Sequence, residues 1–177
     1  DTALVLAANV GHLSTVQTLL RAGAQINSRG DTGATALSSA AMGGHCDVVS
    51  ALLANGADVD GSIPPAVCAA AQEGNARVCG ILLSHGAHVN SASPKGTSAL
   101  MFAADRGHAE SVNLLLGHGA NAEQRNCNGT TALDTAASRG HTAVVAALAQ
   151  ARASFSGAAL HASCWEGHAE VTRQILE

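Results

Sequence analysis

The sequence predicts an all-α repeat solenoid, in which helix–turn–helix units stack side by side and are joined by short β-hairpin connections. Three observations predict it. A Gly-His pair recurs at Gly11-His12, Gly44-His45, Gly107-His108, Gly140-His141 and Gly167-His168, with Gly74-Asn75 as a variant, in steps of 33, 30, 33, 33 and 27 residues. A Leu-Leu-x-x-Gly-Ala ending recurs over Leu19–Ala24, Leu52–Ala57, Leu82–Ala87 and Leu115–Ala120. A helix-opening tetrad recurs at Thr2–Val5, Thr35–Ser38, Pro65–Cys68, Ser98–Met101, Thr131–Asp134 and Ala158–His161. Three markers sharing one register, at a period near 33, are the signature of a helical array.

The stretch Gly96–Asn121 shows why each unit takes this form. Ser98 is a good helix N-cap, and Leu100, Phe102, Ala103 and Ala104 follow it as a short apolar face. Gly107 interrupts. Val112, Leu115 and Leu116 then make a second stripe at i, i+3, i+4, and Gly119 closes the helix where a left-handed residue is wanted. A unit this small cannot bury its own apolar face, so it requires neighbours.

Taken in order, the repeats span 1–29, 30–62, 63–92, 93–125, 126–156 and 157–177, the first and last incomplete. Repeat three is three residues short and opens on Ile63-Pro64-Pro65. Proline removes backbone donors, so this finger is expected to be blunted and the finger row notched. In repeat five Arg152 stands where the terminating Gly is expected, and the connection Ala153–Gly157 is six residues shorter than the standard. A non-Gly residue is penalised in the left-handed region, so this helix end is expected to be remodelled. The chain starts in mid-turn and stops inside a helix, which is expected of a segment of something longer.

Composition narrows the function classes. The chain is 47% hydrophobic but only 2% aromatic, as closely packed helix pairs with no thick core require. A net charge of −4 gives no electrostatic case for nucleic acid or an anionic membrane, and no apolar run approaches the roughly 20 residues of a membrane span. Five cysteines without a Cys-x-x-Cys spacing point to reduced thiols in the cytoplasm or nucleus. Cys68, Cys79 and Cys164 are expected to face neighbouring repeats, leaving Cys127 at a hairpin tip as the accessible thiol. Five of the nine histidines occupy the Gly-His slot. Successive copies lie about 8–10 Å apart, too far to share a zinc ion that needs ligands about 2 Å away. Each is expected to start a second helix and to satisfy orphan backbone groups at the turn. No phosphate-binding loop, zinc-protease helix or nucleophile elbow occurs, so no catalysis, metal or cofactor is expected.

The tetrads, the Ala-Ala pairs, the Gly-His pairs and the Leu-Leu-x-x-Gly-Ala endings together resemble the ankyrin-repeat family over the whole chain. Two departures stand out. Ala replaces the family's Pro in most openings, a change a first helical turn tolerates, and the opening His survives only as His161. The lost His removes a local hydrogen bond, which is expected to soften the hairpins. The resemblance also implies candidate hydroxylation sites at Asn27 and Asn90, each eight residues after a Leu, Leu19 or Leu82.

In ankyrin arrays the hairpin tips and the exposed ends of the first helices form a concave groove, so the resemblance implies a non-catalytic protein–protein interaction module. Five of the nine Lys and Arg residues map to that face: Arg29, Lys95, Arg106, Arg125 and Arg139. The C-terminal half of the groove is therefore expected to be locally basic. Trp165, the single Trp, sits beside it, either as an interface anchor or as filler for the irregular junction. The expected partner-binding residues are Met42, Lys95, Asp105, Arg106, Arg125, Arg139 and Trp165. The expected partner is a protein segment carrying acidic residues and one apolar anchor. The alternative is a structural or regulatory array within a larger enzyme or channel. Interspersed Asp31, Glu73, Asp105 and Glu166 make a poor phosphate track, which argues against nucleic acid.

Overall fold

The computed structural model describes residues 2–30, 32–151, 153 and 157–176. Its helices come in pairs: α1 (Ala3–Val10) with α2 (Leu13–Arg21), α3 (Ala36–Met42) with α4 (Cys46–Ala54), and α5 (Ala66–Gln72) with α6 (Ala76–Ser84). The series continues with α7 (Ala99–Arg106) and α8 (Ala109–Gly117), α9 (Ala132–Arg139) and α10 (Thr142–Gln150), and α11 (Gly157–Trp165) and α12 (Ala169–Leu176). Odd-numbered helices stack on odd and even on even, so the pairs build two layers.

Each first helix begins where the sequence places a hydroxyl. Thr2, Thr35, Ser98 and Thr131 accept hydrogen bonds from the backbone N–H three residues on. At α3 and α9 the third residue, Ser38 or Asp134, reaches back to the cap's own N–H at 3.0 Å, closing a reciprocal pair. Thus the hydrogen bond expected to be lost with the opening His is replaced at these two repeats by a shorter side chain. Pro65 caps α5 without a side-chain bond.

The core is a set of columns, one residue per repeat. Leu4, Leu37, Val67, Leu100 and Leu133 are buried in the odd layer, and Val16, Val48, Val78, Val112 and Val144 in the even layer. Buried alanine pairs, Ala40/Ala41, Ala70/Ala71, Ala103/Ala104 and Ala136/Ala137, let the odd helices approach one another more closely than the even ones do. Closer spacing in one layer bends the stack toward it, so the odd helices line the concave side. The connections are tight fingers: in Ser93–Thr97 the N–H of Ser93 donates to the Thr97 carbonyl at 2.9 Å and Gly96 to Ser93 at 2.8 Å. One β-bridge, Ala92 with Ser98, is the extent of strand pairing among the described residues. Arg152, most of the Ala153–Gly157 connection and Asp31, with the helix-end remodelling expected at Arg152, lie outside the described residues.

The Gly-His pair is explained by the contact between repeats rather than within one. The Nε2–H of His45, His108, His141 and His168 donates to a carbonyl at the end of the preceding first helix: Asn9, Gln72, Asp105 and Ser138, at 3.0–3.2 Å. The orphan groups these histidines satisfy therefore belong to the previous repeat. Asn75 does the same work, donating to the Ala41 and Met42 carbonyls at 3.0 and 2.9 Å. The loop end of the interface has its own fastening. Asn27 Oδ1 accepts from Asp58 N–H, and Asn90 Oδ1 from Asn121 N–H, both at 2.8 Å.

Cysteine placement corrects one expectation. Cys68 and Cys79 are buried and Cys127 is exposed, but Cys164 is exposed too, although it stands at the register position where Ala8, Ala41, Ala71, Ala104 and Ala137 are buried in earlier repeats. Thiol–disulfide exchange with an aromatic disulfide reagent at neutral pH is therefore expected to label Cys127 and Cys164 promptly and half-buried Cys46 more slowly. Cys68 and Cys79 are expected to react only on unfolding; prompt labelling of either, read by peptide mass mapping, would contradict the packing described.

Candidate interaction surface

The ends of the first helices stand in register along the concave side. Asp105 and Arg106 close α7, Arg139 closes α9, and His141 follows at the start of α10. Arg139 Nε donates to Asp105 Oδ1 at 2.9 Å, and Arg106 Nε lies 3.9 Å from Asp105 Oδ2. With His141 these side chains line a cleft of about 410 Å³. One carboxylate between two guanidinium groups leaves a net positive charge. The Arg139–Asp105 pair is open to water, with 61% and 34% of the side chains exposed. Exposed pairs of this kind contribute at most about 1 kcal/mol, so Arg139 can exchange Asp105 for another carboxylate at little cost.

The other basic residues are held differently. Arg29 Nη2 donates to the Gly61 carbonyl of the next repeat at 2.8 Å, and Arg125 Nη1 to Gly129 within its own finger at 2.7 Å. Both therefore brace loops. Lys95 is exposed at the tip of finger Ser93–Thr97, and its carbonyl accepts from Cys127 N–H at 3.0 Å, tying that finger to the next. The structure thus brings Asp105, Arg106 and Arg139 together and leaves Lys95 and Arg125 on separate fingers.

The apolar candidates lie at opposite ends. Met42 is exposed at the end of α3, and Leu6 and Val10 of the N-terminal repeat are also exposed. Trp165 is 80% exposed and stacks on His161, one turn earlier in α11, with ring centroids 6.2 Å apart. It does not fill the junction. Sequence reasoning missed His141 as a cleft residue and Phe102 as a surface one. Phe102 is half-buried: it packs on the core and also lines a second cavity with Ile63 and Pro64. Its register was the available signal, since the equivalent positions carry Leu6, Ser39, Ala69, Thr135 and Ala162.

Among the described residues no cluster of His, Cys, Asp and Glu could hold a metal ion, and no helix is long and apolar enough to cross a membrane. A family model described as ankyrin repeats (3 copies) matches residues 1–62 and 66–156. The chain belongs to the ankyrin-repeat family. A comparison with curated proteins returned no match. Ankyrin repeats are generally protein–protein interaction modules and typically non-catalytic. The cross-repeat histidine contacts and the cleft at Asp105 are features of this ankyrin array's own concave side.

Proposed function

We propose that this ankyrin array binds a segment of a partner protein along its concave groove, and that the segment carries acidic residues and an apolar anchor. The single observation that supports this reading is the cleft at the ends of α7 and α9. There Arg106 and Arg139 flank one exposed, weakly committed carboxylate. In this reading Arg106 and Arg139 pair with the partner's carboxylates, and Asp105 orients Arg139 until the partner arrives. Lys95 and Arg125 extend the positive rim, and exposed Met42 and Trp165 offer apolar contact beyond it.

The test is a pull-down from lysate with the wild-type array beside an Arg106→Glu, Arg139→Glu double variant, followed by titration of whatever partner the wild type captures. Both side chains are exposed, so the fold is expected to survive, which circular dichroism checks. Reversing two exposed charges is expected to weaken the partner at least about tenfold and to flatten its salt dependence. A partner retained equally by both proteins would place the interface elsewhere. Capture of nucleic acid with a steep salt dependence would overturn the reading outright.

A further inference from the structure

The shortened third repeat leaves a second cavity on the finger side of the groove. It has a volume of about 400 Å³ and is lined by Ile63, Pro64, Pro94, Lys95, Thr97 and Phe102. Three features of the sequence make it apolar and preformed. First, the proline-rich opening of repeat three presents carbon rather than backbone donors, because Pro64 and Pro65 have no N–H. Second, finger Ser93–Thr97 consumes its own backbone groups: Ser93 and Thr97 bond each other, Ser93 Oγ accepts from Thr97 N–H at 3.3 Å, and the Lys95 carbonyl accepts from Cys127. The wall therefore offers side chains and no open strand edge for an incoming chain. Third, Phe102 lines the cavity and is the one aromatic residue at its register position in the six repeats.

We infer that this cavity is the anchor pocket of the array. It takes one large aliphatic or aromatic side chain from an extended partner segment, with a carboxylate two residues away seated on Arg106. The inference rests on the groove-binding proposal above and names the subsite and partner chemistry that proposal left open. Phe102 and Arg106 are four residues apart on α7, hence on one face and about 6 Å apart along the axis. An extended chain covers about 6.6 Å in two residues and points both side chains the same way. The charge around the pocket selects the partner's sign: Lys95 lines it and Arg106 stands one turn beyond, so a carboxylate beside the apolar group is attracted from both sides. Ile63, 45% exposed at the rim, is the side chain such an anchor would cover first.

The experiment selects random dodecapeptides displayed on phage against the whole chain, then measures one enriched peptide by fluorescence anisotropy. Enriched sequences are expected to share a Leu, Ile, Met, Phe or Trp with Asp or Glu two positions away. Ile63→Glu and Arg106→Glu are each expected to weaken that peptide tenfold or more. As a readout that needs no substitution, the Ile63 and Thr97 methyl signals of the wild-type chain are expected to shift on peptide addition. A peptide weakened by Arg106→Glu yet indifferent to Ile63→Glu, with unshifted Ile63 and Thr97 methyls, would overturn the pocket and leave groove binding standing. Indifference to both substitutions would overturn both. Enrichment without an apolar position, or no enrichment, would also overturn the pocket.

Discussion

Replacing Gly107 by alanine is expected to destabilise the array by about 2–4 kcal/mol, more than a substitution of one methyl group suggests. Two costs coincide. Gly107 has φ 75°, a left-handed conformation that costs a residue with a Cβ about 1–2 kcal/mol. The new Cβ would also meet the His141 ring, with Nδ1 at 2.7 Å and Cε1 at 2.9 Å. His141 is not free to retreat, because its Nε2–H is bonded to the Asp105 carbonyl at 3.0 Å. His141→Ala alone is expected to cost about 1–3 kcal/mol by orphaning that carbonyl. In the double variant the steric cost disappears while the backbone cost stays, so the two losses should fall short of additive by about 1–2 kcal/mol. Urea melts of the four proteins measure this directly. Strict additivity would mean that the imidazole does not press on Gly107. Because a linear array holds together through nearest-neighbour interfaces, Gly107→Ala should also let the C-terminal repeats melt separately. The cleft between α7 and α9 spans that interface, so partner binding should weaken with it.

The distinction between what one repeat decides and what two repeats decide explains how much was legible. Helix starts at Thr35, Ser98 and Thr131, the buried columns and the interruptions at Gly107 and Gly140 follow from local rules of capping and periodicity, and a single unit displays them. The partner of His141 could not be read that way, because Asp105 lies 36 residues back and meets it only once the units are stacked. The same holds for Arg139, whose charge looked available in the sequence but is shared with Asp105. Cys164 shares its register with buried Ala8, Ala41, Ala71, Ala104 and Ala137 and Trp165 shares its own with Asn9, Met42, Gln72, Asp105 and Ser138, so their exposure is decided by what stacks against α11 and not by the pattern within one repeat. Ile63-Pro64-Pro65 was legible as a notch. That the notch is a pocket depends on the neighbouring finger and on Phe102, a residue first assigned to the apolar face and found with one side in the groove.

Alkaline pH is expected to unfold this chain through two thiols. Burial first, and then the neighbouring Cys79 and Asp60, push Cys68 from 9.0 up to about 12. Burial pushes Cys79 from 9.0 up to about 12 as well, against a smaller opposing effect of its own backbone hydrogen bond. Both thiols face carbonyls, Ser91 at 3.5 Å and Val67 at 4.0 Å, which accept from the neutral S–H and repel a thiolate. Below pH 9 both states hold these protons and the contribution to stability is complete. Between pH 9 and about 12 the unfolded chain has released them and the folded chain has not, so stability falls as pH rises. The slope is about 1.4 kcal/mol per pH unit for each thiol, or nearly 3 kcal/mol per unit for the pair. The composition makes this limb unusually clean. The chain has no Tyr and Lys95 is its single Lys, while arginine stays charged throughout. Urea midpoints measured from pH 8 to 11 should therefore drop steeply in the wild type, and the decline should be largely absent in a Cys68→Ala, Cys79→Ala double variant. An equal decline in both proteins would mean that these two thiols ionise as readily in the fold as outside it, and that the core between α5 and α6 admits water.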